Sequence, residues 1–316
     1  MKQSIYLSGK VLKIAIAKLK RKGINFDVER KENGGLLYVE EKDIPEASVI
    51  VDYAKKEERE IEDKLNNIEC SICHTDWLEE MEAPFLHVEI AEQLSIIFNT
   101  KKGLGKAVDS LYCHSELHLT PEDFLKNALK KLENENFVIE KLSELTEQIM
   151  KTENFDESYI KETMYMHNAK DCPIWVLHNY PKTNGTAALY FPNILKKIHS
   201  TLKENYYVLP VSKQESFIIP ESEVDSFVNL KDMFYKFNYD ELRVDLPLAD
   251  KIFYFDGEKL NYIPSYDELY SLSKGIRTKR EGVDISIYTE LCIAFTRLRD
   301  VSGLHIWPEL LPEKEA

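Results

Sequence analysis

Residues 173–220 read PIWVLHNYPKTNGTAALYFPNILKKIHSTLKENYYVLPVSKQESFIIP. Two short apolar runs, at 173–178 and 186–191, flank Asn184-Gly185, a dipeptide typical of tight turns. A run with helical spacing follows at 192–203, and two more apolar runs lie at 206–210 and 216–219. Because strands joined by short connections pair antiparallel, the sequence predicts an α+β fold with an antiparallel sheet, a ββαββ core at 173–219, packed with helices.

The N-terminal part of the sequence predicts a small αββα unit. Residues 8–22 have apolar positions at helical spacing and end at Gly23, and a hairpin is expected at 26–39 around Asn33-Gly34-Gly35. A second helix follows Asp43 and continues into a charged run that ends at Lys64. An isolated hairpin is marginal in water, so both helices would have to cover one face of it.

The rest of the chain predicts more helices and one further hairpin. Residues 85–98 fit a strand or a helix equally well. The sequence predicts helices at 124–132, 137–150, 157–164, 222–237 and 284–300, and a hairpin at 252–263 around Asp256-Gly257. We therefore expect three parts: a small αββα domain at 1–65, a larger α+β domain at 66–264, and a C-terminal helical extension at 265–316.

The charge of the chain is uneven. With 316 residues, 43% of them hydrophobic, it can bury a sizeable core, and its net charge of −14 argues against broad binding to nucleic acid or anionic membranes. Residues 1–26, however, carry seven Lys and Arg residues and no acid. This segment is either a solvated helix face or a contact for an acidic partner or a nucleic-acid backbone, and its candidate partner-binding residues are Lys18, Lys20, Arg21 and Lys22.

Sequence features of targeting and redox chemistry favour a cytoplasmic protein. No apolar run reaches the 18 or so residues of a membrane-spanning helix, and the start of the sequence lacks the pattern of a signal peptide. Five cysteines are an odd number, which fits reduced thiols better than a disulfide framework.

The cysteines also suggest a metal site. Cys70 and Cys73 are spaced as in zinc sites, and Cys113 with His114 and His118 lies farther along the chain. The sequence therefore offers zinc at Cys70, Cys73, Cys113 and His118 as one hypothesis, and buried free thiols as the other. Residues 101–106 resemble a phosphate loop in composition, but their glycine spacing fits a turn with solvated lysines better. Residues 274–280 form a compact basic segment that is either an exposed loop or an anchor for a partner or phosphate.

Several segments of the sequence resemble a domain family of unknown function that is abundant in gut bacteria and their mobile elements. They are Trp175–Asn179, Asn184–Ala188, Leu189–Pro192, Tyr206–Pro210 and Ser212–Glu215, and the likeness extends over about 84–264. The family pattern has Ser-x-His-Glu after Leu-Pro, whereas this chain has Ser212-Lys213-Gln214-Glu215. Residues 19–54 also look like a small domain of accessory proteins from conjugative elements.

The resemblance implies candidate site residues. It makes Glu215 and Ser212 the candidates for acid–base chemistry, although the missing histidine of the tetrad weakens that role. Independently of the resemblance, a pocket formed by the sheet of 173–220 would be lined by Asn179 and Asn184 as ligand-binding residues. His178, at the end of a predicted strand, is expected to be a turn or core residue.

The sequence therefore supports three hypotheses about function. The leading one is a non-enzymatic interaction or regulatory protein of a bacterial mobile element, which binds another protein through an acidic, aromatic-rich surface and interferes with a host defence or nucleic-acid-handling complex. The second is a ligand-binding or hydrolytic domain with its pocket around Asn179, Ser212 and Glu215, and the third is a zinc-stabilised adaptor. No nucleophile-elbow pattern is present, so catalysis is left open and not favoured.

Overall fold

The computed structural model describes residues 2–80, 85–91, 93–101, 107–180, 184–236, 248–249, 251–263 and 284–302. The chain forms two compact units. The N-terminal unit consists of Met1–Glu69, Thr100–Lys106 and Ser110–Pro121, and the larger unit consists of Cys70–Asn99, Ala107–Asp109 and Glu122–Ala316. None of the helices in the described part of the chain is both long enough and apolar enough to span a membrane.

The N-terminal unit is a three-stranded sheet with two helices. Its elements follow in the order β1 (Lys2–Ser8), α1 (Gly9–Lys22), β2 (Phe26–Lys31), β3 (Gly34–Glu40) and α2 (Ile44–Asn66). The strand order is β1-β3-β2 and both pairings are antiparallel, so β2 is an outer strand. The sequence predicted the αββα order, but it missed β1, whose residues lack a strict alternation of apolar and polar side chains.

One apolar core holds this unit together. Leu7 of β1 and Leu37 and Val39 of β3 pack with Leu12 and Leu19 of α1, and apolar side chains of α2 complete the cluster. At Gly35 the helix lies so close to the sheet that a Cβ atom would meet Leu12 Cδ2 at 2.8 Å. The expectation that both helices cover the hairpin is therefore confirmed.

The larger unit begins with a small sheet and several helices. A three-stranded sheet has the order β4 (Ile68–His74), β6 (Leu94–Thr100), β5 (His87–Ala91), so the ambiguous run at 85–98 forms two strands. The short helix α3 (Asp76–Glu80) follows β4. The next short helix, α4 (Ser110–Tyr112), and the π-helical turn that continues it at Cys113–Leu117 belong to the N-terminal unit. Helix α5 (Pro121–Glu133) then leads to the main sheet.

A six-stranded antiparallel sheet is the centre of the larger unit. Its order is β12 (Leu260–Tyr262), β11 (Phe253–Phe255), β9 (Tyr206–Pro210), β10 (Glu215–Pro220), β8 (Trp175–Tyr180), β7 (Asn136–Lys141). On one face, Val176, Leu209 and Phe217 pack against α6 (Leu142–Thr152), α9 (Phe227–Tyr235) and α10 (Thr289–Ser302). On the other face lie a 3-10 helix, Gly185–Tyr190, and α8 (Pro192–Leu202), whose Leu195 carbonyl accepts a hydrogen bond from Tyr206 Oη at 3.0 Å.

The α+β class and the antiparallel sheet are thus confirmed, with two corrections to individual elements. The strand predicted at 186–191 is the 3-10 helix, because this apolar run, buried except for the half-buried Tyr190, packs across the sheet instead of pairing within it. The helix predicted at 137–150 begins only at Leu142, because residues 136–141 pair with β8 as an edge strand and tertiary contacts override the helical spacing. The helix predicted at 157–164 corresponds to α7 (Glu157–Met166).

Candidate functional site

The first candidate site is a cluster of buried polar side chains where β8 ends and β10 begins. His178 and Glu215 lie directly opposite each other in the antiparallel register, and each residue is 1% exposed. Nε2 of His178 donates to Oε2 of Glu140 on β7 at 2.6 Å. Cross-strand partners share one face of a sheet, so the cluster lies on the face covered by α6, α9 and α10.

Strand alternation places the predicted pocket residues on two faces. Asn179 follows His178 directly, so its side chain points to the opposite face of the sheet. There its Nδ2 donates to a Glu135 carboxylate oxygen, and its Oδ1 accepts from the backbone N–H of Asn184 at 3.0 Å. The fold therefore brings Asn179, Asn184 and Glu215 to one end of the sheet but divides them between its two sides.

Ser212 has a local structural role in the turn between β9 and β10. Its Oγ accepts hydrogen bonds from the backbone N–H groups of Gln214 at 3.1 Å and Glu215 at 3.3 Å. Its carbonyl oxygen accepts from Thr186 Oγ1 at 2.6 Å. A serine that caps a turn in this way fixes the backbone, which accounts for its position without a role as a nucleophile.

Gly185 allows the 3-10 helix to lie against the backbone at this end of the sheet. Its N–H donates to the Gln214 carbonyl at 2.9 Å, and a Cβ atom in its place would lie 2.1 Å from that oxygen and 2.5 Å from His178 Cα. Only glycine permits this approach. Asn184-Gly185 has the pattern of a tight turn, so its sequence does not indicate this packing role.

The chemical capacity of the cluster is limited by its burial. A carboxylate that holds an imidazole is an arrangement used in acid–base catalysis, but a base must come within hydrogen-bond reach of the proton that it removes. His178, Asn179 and Glu215 are all buried. The hydrogen bonds instead tie β7, β8 and the 3-10 helix together, which is the usual effect of a buried polar network. The partner role of Glu140 was not predicted because residues 137–150 were expected to form a helix, and that of Glu135 depends on the pairing of β7 with β8.

A second polar network lies at the other end of the same sheet. Asn205 Nδ2 donates to Tyr254 Oη at 2.8 Å, and that hydroxyl donates to Glu221 Oε2 at 3.0 Å. Burial, with a smaller effect of the Glu221 hydrogen bond, raises the pKa of Tyr254 to about 12. The tyrosine is therefore a neutral hydrogen-bond donor throughout the physiological range.

The cysteine pair of β4 does not have the geometry of a zinc knuckle. Residues three apart on a strand point to opposite faces, and Cys73 is buried while Cys70 is partly exposed. Burial raises the pKa of the Cys73 thiol to about 11, which disfavours the thiolate that zinc requires. Within the described ranges, no group of three or more His, Cys, Asp and Glu side chains could hold a metal ion. The zinc hypothesis therefore gains no support from these side chains.

The other predicted metal ligands lie in the N-terminal unit. Cys113 is buried in the π-helical turn, and Nε2 of His118 lies 3.8 Å from a carboxylate oxygen of Glu57 on α2.

The two lysine-rich segments of the sequence fall largely outside the described residues. Residues 102–106 of the first segment and all of 274–280 are not described, and neither is most of the predicted C-terminal extension.

The candidate partner-binding residues of α1 separate into two pairs. Lys18 Nζ lies 2.8 Å from Glu57 and Lys22 Nζ lies 3.8 Å from Glu46, so both point toward α2. Lys20 and Arg21 are exposed. The sequence could not separate these pairs because the position of α2 was unknown.

The second candidate site is an exposed aromatic surface on α7, which the sequence analysis did not single out. Asn154 adopts a left-handed conformation (φ 58°) after α6, and the N–H of Phe155 donates back to the Met150 carbonyl at 3.0 Å. This closes α6 in a Schellman motif. Asp156 then caps α7 by accepting from the Ser158 N–H at 2.7 Å. A hydrogen bond from the Ser158 hydroxyl and, with a smaller effect, the one from this N–H lower the pKa of the Asp156 carboxyl group.

Helix α7 packs on the larger unit through one face and leaves large apolar side chains on the other. Ile160 and Thr163 are buried, whereas Tyr159 is 52%, Tyr165 85% and Met166 61% exposed. Phe155 stacks on Tyr159 with ring centroids 5.6 Å apart and an interplanar angle of 16°. We call Phe155, Tyr159, Tyr165 and Met166 the α7 aromatic face. Asp156, Glu157 and Glu162 are exposed beside it, so its border carries negative charge.

Among known proteins, this chain resembles one family. The chain matches no curated protein and no solved structure. It does match a Family of unknown function (DUF5688) over residues 42–257, which is more than half of its length and includes α2 as well as the main sheet. The match confirms the resemblance expected from the sequence and starts earlier, at residue 42 instead of about 84. This chain belongs to that family of unknown function, DUF5688.

Proposed function

We propose that this protein is a non-enzymatic binding protein and that the α7 aromatic face is its contact surface for another protein. The observation that carries the proposal is the exposure of Tyr159, Tyr165 and Met166 on one short helix. Tyrosine and methionine are enriched at protein interfaces, and buried aromatic anchors supply much of the binding energy there.

The ends of α7 fix this surface before any partner binds. The Schellman motif at Asn154 and the Asp156 cap hold the start of the helix, and the stacked rings of Phe155 and Tyr159 restrict each other. A preorganised surface loses less conformational entropy on binding. The α7 aromatic face therefore has the properties of an anchor.

Charge around the α7 aromatic face indicates the chemistry of the partner. Lys161 is paired with Glu157 at 3.7 Å, which leaves Asp156 and Glu162 as the excess charge at this surface. A complementary partner would present an apolar groove with a basic border. A mobile-element setting follows from the resemblance, and interference with a host defence or nucleic-acid-handling complex follows from the resemblance together with the acidity of the chain; both stay predictions.

The test compares three proteins immobilised at equal density and exposed to a lysate of bacteria that carry the gene. They are the unaltered chain, a variant with Tyr159→Ser, Tyr165→Ser and Met166→Ser, and a control with Tyr6→Ser, Val49→Ser and Tyr53→Ser. The control removes three comparably exposed apolar residues from the N-terminal unit. Affinity of the recovered partner is then measured for each protein.

We expect a stoichiometric partner that binds the unaltered chain and the control alike. The α7 variant should bind it about 100-fold more weakly, because each interface anchor contributes about 1 kcal/mol or more. Recovery of no stoichiometric partner, or equal binding by the α7 variant, would contradict the proposal.

A further inference from the structure

Helix α1 carries cations on two separate sides. Lys18 and Lys22 face the carboxylates of α2, as described above. Four other cations, Lys10, Lys13, Lys20 and Arg21, are exposed, and they fall within about 100° of arc on the side away from the core. Among the described residues, none of these four is paired with a carboxylate. We call these four residues the α1 basic face.

Helix stability does not account for the α1 basic face. Cations in the last turn, such as Lys20 and Arg21, do stabilise the negative end of the helix dipole. Lys10 and Lys13, however, lie at the start of α1, where the dipole is positive and where the helix has no acidic residue in its first turn. Lys10 and Lys13 are also three residues apart, so their charges repel each other. Their arrangement therefore indicates an external anion.

The surroundings of the α1 basic face favour one class of anion. A membrane-binding helix would insert large apolar side chains, but those of α1, including Leu12 and Leu19, are buried in the core of the unit. A protein interface or a single-stranded nucleic acid would use aromatic anchors or stacking platforms, and α1 contains no aromatic residue. A purely cationic contact on a rigid helix is instead typical of sequence-independent binding to a phosphate backbone.

The dimensions of the α1 basic face also fit a duplex. Lys10 and Arg21 are eleven residues apart, which corresponds to about 16 Å along the helix axis. Duplex DNA carries one negative charge per about 1.7 Å of its axis, so four cations along 16 Å meet a dense, regular row of phosphates. We infer that the α1 basic face binds the phosphodiester backbone of double-stranded nucleic acid without reading its sequence.

The acidity of the whole chain does not oppose this contact at short range. The first acidic residue in the sequence is Asp27, and two carboxylates of α2, Glu57 and Glu46, are paired with Lys18 and Lys22. A third, Glu58, accepts a hydrogen bond from Ser8 Oγ at 3.2 Å just before α1, which sets one acid against the four cations of the α1 basic face. Salt at physiological strength screens charges beyond about 8 Å. The local positive charge of α1 therefore governs the encounter.

The inference can be tested with fluorescently labelled 20-base-pair DNA of mixed sequence, by measuring anisotropy at 50 and 200 mM salt. One variant changes Lys10, Lys13, Lys20 and Arg21 to Gln. A control variant changes Lys42, Lys55, Lys56 and Arg59 to Gln, which removes the same charge from exposed positions elsewhere in the N-terminal unit. Circular dichroism checks that both variants keep their helices.

The unaltered chain and the control should bind the duplex at 50 mM salt. Four phosphate contacts give a slope of log affinity against log salt of about −3.6, so binding should weaken roughly 100-fold between 50 and 200 mM salt. The α1 variant should lose this binding, and single-stranded DNA of the same length should bind more weakly than the duplex. Absence of duplex binding by the unaltered chain, equal loss in both variants, or a preference for anionic phosphatidylserine vesicles over the duplex would overturn the inference.

Discussion

The larger unit treats two of its surfaces in opposite ways. At the end of β8, the unit buries His178, Asn179 and Glu215, although polar side chains of these types are usually exposed to solvent. On α7, the unit exposes Tyr159, Tyr165 and Met166, although large apolar side chains are usually buried. The buried polar groups are held by hydrogen bonds such as that from His178 to Glu140, so their burial serves the fold. The side chains of Tyr159, Tyr165 and Met166 are more than half exposed, and this exposure is the reason why we propose an external partner for them. The following predictions test this contrast.

The largest expected effect is that of Gly185→Ala. The added Cβ would lie 2.1 Å from the Gln214 carbonyl oxygen, a backbone atom that cannot move without displacing β10. We expect a loss of about 3 kcal/mol in the free energy of unfolding, measured by urea denaturation followed by circular dichroism. Gly9→Ala is the control, since a Cβ at Gly9 has only the Asn33 carbonyl at 3.9 Å nearby. Equal stability of the two variants would show that the 3-10 helix does not pack as described.

The next largest effect separates a structural role of Glu215 from a catalytic one. Because Glu215 is 1% exposed and lies opposite His178, Glu215→Ala should cost about 2 kcal/mol of stability, whereas Glu215→Gln, which keeps the shape and a hydrogen-bonding oxygen, should cost less. The measurement is the same urea titration. A pocket role for Glu215 would predict an unchanged melting temperature in Glu215→Ala together with loss of a ligand shift or an activity.

A smaller effect concerns the pH dependence of the network around Tyr254. Its folded-state pKa of about 12 lies above the ordinary value of 10.0, so the neutral hydroxyl stabilises the fold fully below pH 10 and loses this contribution as the pH rises toward 12. The difference in unfolding free energy between the unaltered chain and Tyr254→Phe should therefore be constant from pH 8 to 10 and change above it in favour of the variant. A difference that stays constant up to pH 11.5 would contradict this assignment.

The smallest expected effect is on the stability of the α7 variant. The substitutions Tyr159→Ser, Tyr165→Ser and Met166→Ser remove exposed side chains, so each should change the free energy of unfolding by no more than about 0.5 kcal/mol. Thermal unfolding by circular dichroism measures this. A loss as large as that of Glu215→Ala would mean that the α7 aromatic face supports the fold, and the contrast with the β8 end would fail.

Local sequence patterns predicted the elements whose residues alternate or repeat cleanly. The helix α8, the strands β9 and β10 and the hairpin of β11 and β12 follow from spacing and turn dipeptides. The strand β7 and the 3-10 helix at Gly185–Tyr190 did not, because each is determined by contacts with β8 and β10 that are distant in sequence. Spacing alone cannot report such contacts.

Prediction of the sites was limited for the same reason. The sequence suggested that Asn179, Asn184, Ser212 and Glu215 line one pocket, but the division of these residues between two faces depends on the register of β8 and β10. The partner of His178 was missed since Glu140 belongs to a strand 38 residues earlier in the chain. The α7 aromatic face required knowledge of which side of α7 packs inward, and the sequence shows only a weakly periodic helix there.

The outer strand β2 of the N-terminal unit has a consequence for how copies of this chain behave together. Four of its six residues, Asp27, Glu29, Arg30 and Lys31, are charged. A strand that paired with β2 would place its own side chains next to these charges. Charged outer strands of this kind prevent sheets from joining edge to edge. Addition of a further strand along β2 is therefore disfavoured, whether that strand comes from a second copy of the chain or from a partner.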